Sequence, residues 1–241
     1  MNSILNILTH HKCASTWLIR YAQEFCNSNN LFLSRTHLSN TNLDESADVL
    51  CWQNASYNFI SRKITDGFHF IRNPLDIIVS AYHSHKKTHP LDGWPELRRQ
   101  REILATCDQA EGLFLTLSFL ERDDFHPGAV GPLHALRHWT FEDARIKTLR
   151  TEDVVLDPNR YIGQILQDKF PGSVLPPTEH HTFEFMVGRR VGEIDEKSHY
   201  RSGKRDQWKE VLPREIVEYM KAHYREIFER FYPHVLSQPI S

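Results

Sequence analysis

Cysteine is scarce in this sequence: there are four in 241 residues, at positions 13, 26, 51 and 107, and no two form a C-x-x-C pair. That spacing excludes a disulfide framework, a thioredoxin-type redox motif and a cysteine-ligated zinc, and fits reduced thiols. Glycine is also sparse, at ten residues, and nowhere forms the G-x-x-x-x-G-K-[ST] loop that would make ATP the default ligand. Neither charge sign dominates, with 29 Lys and Arg against 31 Asp and Glu and a formal net charge of -2. A nucleic-acid surface needs a basic excess, so any anion site here must be local. No long hydrophobic run occurs. The nearest, Gly112 to Leu120, falls far short of the roughly 20 apolar residues that cross a bilayer, and the mean hydropathy is -0.51. The start, Met1-Asn2-Ser3-Ile4-Leu5, has no basic residue before Lys12 and no signal-peptide cleavage pattern. A cytoplasmic protein without a membrane span is expected.

What is present suffices for a full core. Hydrophobic residues make up 40% and charged residues 25% of the chain, and the length suits one domain over 1–241. Short apolar runs at Ile4–Leu8, Leu31–His37, Phe68–Ile71 and Ile146–Arg150 read as strands. Helical periodicity marks 14–25, 75–85, 96–121, 132–142, 160–170 and 213–231, whereas 39–62 is polar and mixed. Strands alternating with helices predict an α/β architecture, a parallel sheet flanked by helices, with ligands beyond the carboxyl ends of the strands. Segment 187–207, rich in charge and holding Gly188, Gly192 and Gly203, reads as a loop suited to covering an anion.

Four constellations carry chemistry. The first, Thr9-His10-His11-Lys12-Cys13-Ala14-Ser15-Thr16-Trp17, joins the first strand to its helix. Amides of such a turn and of the helix N-terminus converge on one spot and favour a phosphate or sulfate there, with Lys12, Ser15 and Thr16 adding donors. The second is Arg72-Asn73-Pro74-Leu75-Asp76 followed by Ser80, eight residues after Arg72. The arginine leaves a strand end with a fork suited to a phosphate monoester, and Ser80 lies two helical turns on. The third is Leu149-Arg150-Thr151-Glu152-Asp153 with Asp157-Pro158, and the fourth is Arg201-Ser202-Gly203 with Trp208-Lys209.

In this order the four motifs resemble the sulfotransferase superfamily that uses 3′-phosphoadenosine 5′-phosphosulfate (PAPS, with product PAP). Its members carry K-x-G-T-T-W, R-[ND]-P-x-D-x-x-x-S, R-Y-E-D-x-x-x-D-P and R-K-G-x-x-G-[DE]-W-[KR]. The resemblance implies a P-loop NTPase-like sulfotransferase fold and transfer of a sulfuryl group to a hydroxyl or amine of a small-molecule, lipid or glycan acceptor. It also implies that Lys12, Ser15 and Thr16, in a loop shared with Cys13 and Ala14, hold the 5′-phosphosulfate. Trp17 would stack on adenine, Arg72, Ser80, Arg201 and Gly203 would hold the 3′-phosphate, and Ser202 would belong to the same cofactor-binding lid. Thr151 stands where the family has an adenine-holding tyrosine, and His181-Thr182-Phe183 echoes a T-S-F that contacts adenine, which puts Phe183 at the ring. Ala14 replaces a glycine, a change tolerated if its φ is negative. Ser202 replaces a lysine and Asp206 a common glycine, so a weaker lid is expected.

Lys12 is the candidate cation for charge growing on the leaving oxygen, a role that needs no metal. His37, in Arg35-Thr36-His37-Leu38, echoes the family's K-T-H-L-P and is the candidate general base, with His10, His11, His83 and His85 as competitors. His83, His85 and His89, or His134 with His138, have spacing that a zinc ion could use, but no acidic or fourth ligand accompanies them; surface histidines are expected. Two other functions fit parts of the pattern: a small-molecule or nucleotide kinase, which the missing Walker lysine disfavours, and a noncatalytic nucleotide-binding protein, which intact Lys12 and Arg72 disfavour. Binding of PAP but not ATP separates the first from a sulfotransferase, and sulfate transfer separates the second.

Overall fold

The computed structural model describes residues 4–198 and 200–238. Five strands, β1 (Leu5–Leu8), β2 (Leu33–Thr36), β3 (Val49–Trp52), β4 (Gly67–Ile71) and β5 (Ile146–Arg150), form one sheet in the order β2-β3-β1-β4-β5, every pair parallel. The expected parallel α/β sheet is therefore present. β3 is a correction, because it lies inside the segment read as polar and mixed. It consists of four consecutive buried residues, Val-Leu-Cys-Trp, and so shows no alternation. Its place between β2 and β1 leaves it buried on both faces, which a short continuous apolar run permits.

Helices follow in chain order. α1 (Ser15–Ser28), α2 (Tyr57–Ile60), α3 (Pro74–His83), α4 (Pro95–Thr106), α5 (Gln109–Leu120) and α6 (Pro132–Arg137) precede β5. After it come α7 (Thr151–Val154), α8 (Gln164–Lys169), α9 (Phe183–Val187), α10 (Trp208–Val211), α11 (Arg214–His223), α12 (Arg225–Phe231) and α13 (Pro233–Ser237). The single helix expected over 96–121 is two, because Asp108 and Glu111 form a reciprocal capping box that starts a new helix. The one expected over 213–231 is also two, broken at Tyr224, whose φ of -119° leaves the helical region. The helix expected over 132–142 stops at Arg137.

Two apolar layers sandwich the sheet. On one side α3 packs with α5, α11 and α12 through Leu75, Ile78, Leu113, Leu117 and Phe228. On the other, Trp17, Leu18, Tyr21 and Phe25 of α1 cover Leu5, Ile7 and Phe70. Burial of such side chains contributes about 1.5–3 kcal/mol each, which fixes β1 and β4 side by side. The loops that leave their carboxyl ends, 9–14 and 72–73, therefore meet.

Candidate active site

The loop after β1 is held by its own backbone: the Cys13 N–H donates to His10 O at 3.0 Å and the Thr9 hydroxyl donates to Cys13 O at 3.2 Å. Lys12 and Ala14 both adopt left-handed backbone, with φ of 64° and 56°. The negative φ that would have made Ala14 an easy replacement for glycine is thus not found, and the alanine carries backbone strain. α1 begins with no side-chain cap and no acidic residue in its first turn. Its first-turn amides, which have no acceptors within the helix, remain available to an anion. Ser15 and Thr16 stand at that end. Cys13 contributes main chain only, because its side chain is fully buried against Ile71 and Leu75 and burial pushes its thiol up to about 12.

Arg72 leaves β4 beside this loop, and its Nη1 donates to Lys12 O at 3.1 Å. Desolvation by burial and the Arg72 guanidinium bring the Lys12 ammonium down to about 7. Asn73 caps α3 by accepting from Leu75 N at 3.1 Å. Its own N–H donates to Glu152 Oε1 at 2.8 Å, while the Tyr232 hydroxyl donates to Glu152 Oε2 at 3.1 Å. Burial raises Glu152, and it raises Asp76. Asp76 is only 2% exposed, and its carboxylate accepts from Asp206 N at 2.9 Å and Trp208 N at 3.2 Å. That pair of bonds anchors the end of segment 188–207 to α3.

Segment 188–207 contains no helix or strand among its described residues and runs along the cavity edge. Arg201 donates from Nε to Glu196 at 2.8 Å and from Nη1 to Gln207 at 2.6 Å, which orients its fork. Glu196 also pairs with Lys87 at 2.8 Å. Ser202 is 3% exposed, its hydroxyl accepting from Lys204 N at 3.3 Å. Where the family places a lysine, this lid turns a short side chain inward, and Lys204 and Arg205 line the cavity instead. Gly203 has φ of 63°, and a Cβ there would lie 2.7 Å from the Phe183 ring. Only glycine allows this approach.

These elements enclose one cavity of about 1050 Å³. Of the residues singled out in the sequence, Lys12, Ala14, Ser15, Thr16, Trp17, His37, Arg72, Ser80, Thr151, Phe183, Arg201, Ser202 and Gly203 all line it; Cys13 does not. Trp17 is buried, stacks on Tyr21 at 5.7 Å and donates from its indole N–H to His181 O at 2.7 Å. Such a volume stands at the top of the roughly 300–1,000 Å³ of a small-ligand site. Its lining includes the apolar Trp17, Phe183, Val155 and Met186, and a ring cluster in which His11 meets His89, Trp94 and Phe125 while His126 lies between Trp94 and His37.

The structure sorts the histidines. His10 is turned away, its Nε2 2.7 Å from His69 Nε2 beneath Trp139. His85 is fully buried, which corrects its reading as a surface residue. His11, His37 and His83 line the cavity. Among the described residues no group of three or more His, Cys, Asp or Glu side chains could hold a metal ion. Sequence reasoning missed the lid tether of Asp76, although R-N-P-x-D contains it, and it missed Trp94 and Phe125, whose approach to the first loop depends on the packing of α4 and α5.

The donors fit a nucleotide with two separated anionic groups. Bare amides with Lys12 suit one group, and Arg72 with the Arg201 fork suits the other. The apolar wall of Trp17 and Phe183 suits a base.

Known proteins share this fold. Residues 68–232 match the family model of the sulfotransferase domain. The fold is similar to that of mouse sulfotransferase SULT7A1 complexed with PAP, with a TM-score of 0.62 and 12% identity over 98% of this chain and 88% of that one. It is similar as well to retinol dehydratase in complex with androsterone and PAP, with a TM-score of 0.50 and 13% identity over 93% of this chain and 80% of that one. No curated protein sequence matches significantly. Among the described residues no helix is long and apolar enough to cross a membrane. With the family model covering more than half of its length, the chain belongs to the sulfotransferase family.

Proposed function

We propose that this sulfotransferase acts on the hydroxyl of a small ring-bearing molecule in the cytoplasm, and that the residues of the two motif loops divide the work. The observation that carries the assignment is the Arg72 bond to the Lys12 carbonyl at 3.1 Å, which joins the two anion-holding loops at one cavity. Arg72, Ser80, Arg201 and Gly203 hold the 3′-phosphate, with Ser202 shaping the lid turn. Ser15, Thr16 and the amides of Lys12, Ala14, Ser15 and Thr16 hold the 5′ end, while Trp17, Thr151 and Phe183 bound the base. When bound, PAPS supplies an activated sulfuryl group on a phosphate leaving group.

Lys12 stands where negative charge grows on the leaving oxygen, and a preorganised cation there stabilises the transition state more than the ground state. Its pKa of about 7 in the free site rises when an anion is held against it, so it is charged when needed. The acceptor's proton passes to a histidine that lines the cavity. The sequence resemblance indicates His37 for this role, while His11 is the histidine adjacent to Lys12 in the chain. The aromatic rings Trp94 and Phe125 support a ring-bearing acceptor. Four unpaired thiols support a reducing cytoplasmic setting.

Calorimetry with PAP and ATP, followed by transfer of labelled sulfate from PAPS to fractionated small molecules, tests the reading. PAP should bind and ATP should not. Tight ATP binding with phosphoryl transfer would replace it with the kinase alternative, and PAP binding without any transfer would favour a noncatalytic role.

A further inference from the structure

Trp17, Tyr21 and Glu24 stand four and three residues apart on α1, which puts them on one face of the helix. All three meet the single helical turn Thr178–His181. The Trp17 indole N–H donates to His181 O at 2.7 Å, and the Tyr21 and His181 rings lie 5.0 Å apart. Glu24 completes the contact: His180 Nδ1 lies 2.9 Å from its Oε1, and His181 Nε2 lies 3.0 Å from its Oε2. One carboxylate thus spans two consecutive histidines, and the second of them carries the carbonyl that holds the indole.

Each member of this arrangement constrains the next. A carboxylate oxygen only accepts, so His180 carries a proton on Nδ1 and donates it. Burial pushes the Glu24 carboxyl up, but its contacts with His180 and His181 outweigh that and hold it below the usual carboxylate range, so it is ionised at neutral pH. The His181 side chain is fully buried, and burial holds its imidazole below the usual value against the opposing pull of Glu24. With its ring enclosed and one edge on a carboxylate, residue 181 keeps a single orientation, and its carbonyl keeps one direction. Trp17 is only 5% exposed, so its N–H depends on that carbonyl for a partner. Tyr21 fixes the indole plane a second time, stacked on it at 5.7 Å and tied by its hydroxyl, which donates to Asn159 Oδ1 at 2.8 Å. Trp17 lines the cavity, whereas Glu24 stands behind it.

Resting on the sulfotransferase reading, we propose that Glu24 is a positioning residue of the cofactor site: it fixes the His181 carbonyl, and through it the tilt of the Trp17 ring on which the adenine of PAPS stacks. The carboxylate touches neither cofactor nor acceptor. It acts on how a flat base is received and not on the transfer step, because stacking depends on the relative placement of the two rings and a ring already held in place need not be ordered when the ligand binds. None of the four motifs contains Glu24.

Titration calorimetry of the full chain with PAP tests this. Glu24→Ala should weaken PAP binding by about tenfold, and Glu24→Gln, which keeps the shape and one accepting oxygen, should lose less. Trp17→Phe keeps an apolar ring but has no indole N–H for His181 O to hold, so adding Glu24→Ala to it should change affinity by less than about twofold. Losses that multiply in the double variant would overturn the proposal, since Glu24 would then act without Trp17, and so would unchanged affinity in Glu24→Ala. In ¹⁵N–¹H spectra without ligand, the Trp17 indole signal, assigned by its loss in Trp17→Phe, should move and exchange faster with water in Glu24→Ala. A general loss of stability would instead spread that change over all five tryptophans and would count against the proposal. If Glu24→Ala does not fold, Glu24→Gln carries both measurements. Failure of the unmodified chain to bind PAP would sink the cofactor assignment itself, while the indole signal would still show whether Glu24 holds Trp17.

Discussion

The carboxylate of Asp76 accepts a hydrogen bond from the backbone N–H of Asp206 at 2.9 Å, across 130 residues of sequence. Together with the bond from Trp208 N it joins the Arg72 motif to the lid motif, so the two halves of the proposed phosphate site are held at a fixed spacing. Asp76→Asn can accept at one oxygen but presents N–H where the other stood. Charge-assisted bonds contribute about 1.5–3 kcal/mol, so PAP affinity should fall by roughly tenfold or more. Hydrogen exchange of the Asp206 and Trp208 amides should speed up in the same variant. Unchanged exchange at both would show that the lid is held elsewhere.

Arg72→Ala removes the fork that faces the cavity and its bond to the Lys12 carbonyl. Calorimetry should show PAP binding weakened by about 10- to 100-fold. Equal affinity in variant and parent would assign the 3′-phosphate to Arg201 and the lid cations alone.

Lys12→Met should lower turnover by about 10²–10³-fold, more than it lowers affinity. The pH behaviour has a definite sign. The folded pKa of Lys12 is about 7 against an ordinary lysine value of 10.5, so the unfolded chain binds more protons between those values. Its effect on stability is therefore unfavourable at and below about 7 and relieved as pH rises toward 10.5. An anion reverses the preference, so PAP binding above pH 7 should take up a proton and weaken as pH rises. Calorimetry at pH 8 in buffers of different ionisation enthalpy measures that uptake, which Lys12→Met should abolish. A parent protein that takes up no proton would contradict the assignment.

Ala14→Gly should stabilise the chain. Left-handed backbone costs an L-residue roughly 1–2 kcal/mol, and glycine returns about 0.5–1 kcal/mol of that through unfolded-state entropy. Urea unfolding should show a net gain of about 0.5–1 kcal/mol. Asp206, with φ of 56°, is the contrasting case. Aspartate tolerates this region, and its carboxylate accepts from Lys209 Nζ at 2.9 Å, so Asp206→Gly should bring no gain.

Gly203→Ala combines a φ of 63° with a Cβ placed 2.7 Å from the Phe183 ring. Phe183 must move or the lid must open, and PAP affinity should drop by about tenfold or more. Intrinsic fluorescence melting should shift little, because lid residues 203–205 are exposed. A large loss of melting temperature with normal affinity would make Gly203 a folding residue only.

Sequence alone locates the chemistry-bearing loops. A strand end followed by a lysine, two hydroxyls and a helix, or by arginine and a proline-started helix, is local information, and local spacing places donors on adjacent turns. It also determined most strands, since apolar runs bounded by turn residues need no tertiary context. It did not reveal β3, because four apolar residues inside a polar segment become a strand only when β1 and β2 supply partners on both sides. Nor did it reveal the backbone sign at Ala14 and Asp206, both left-handed, because φ there is set by the turns the loops must make and not by residue type. The histidines show the same limit. Fifteen of them look alike in the sequence, and only packing turned His10 toward His69, buried His85 against Gln100 and left His11 and His37 at the cavity. Burial and hydrogen-bond order set a histidine's charge and tautomer, and both are properties of neighbours brought together by the fold across about 60 to 90 residues of chain.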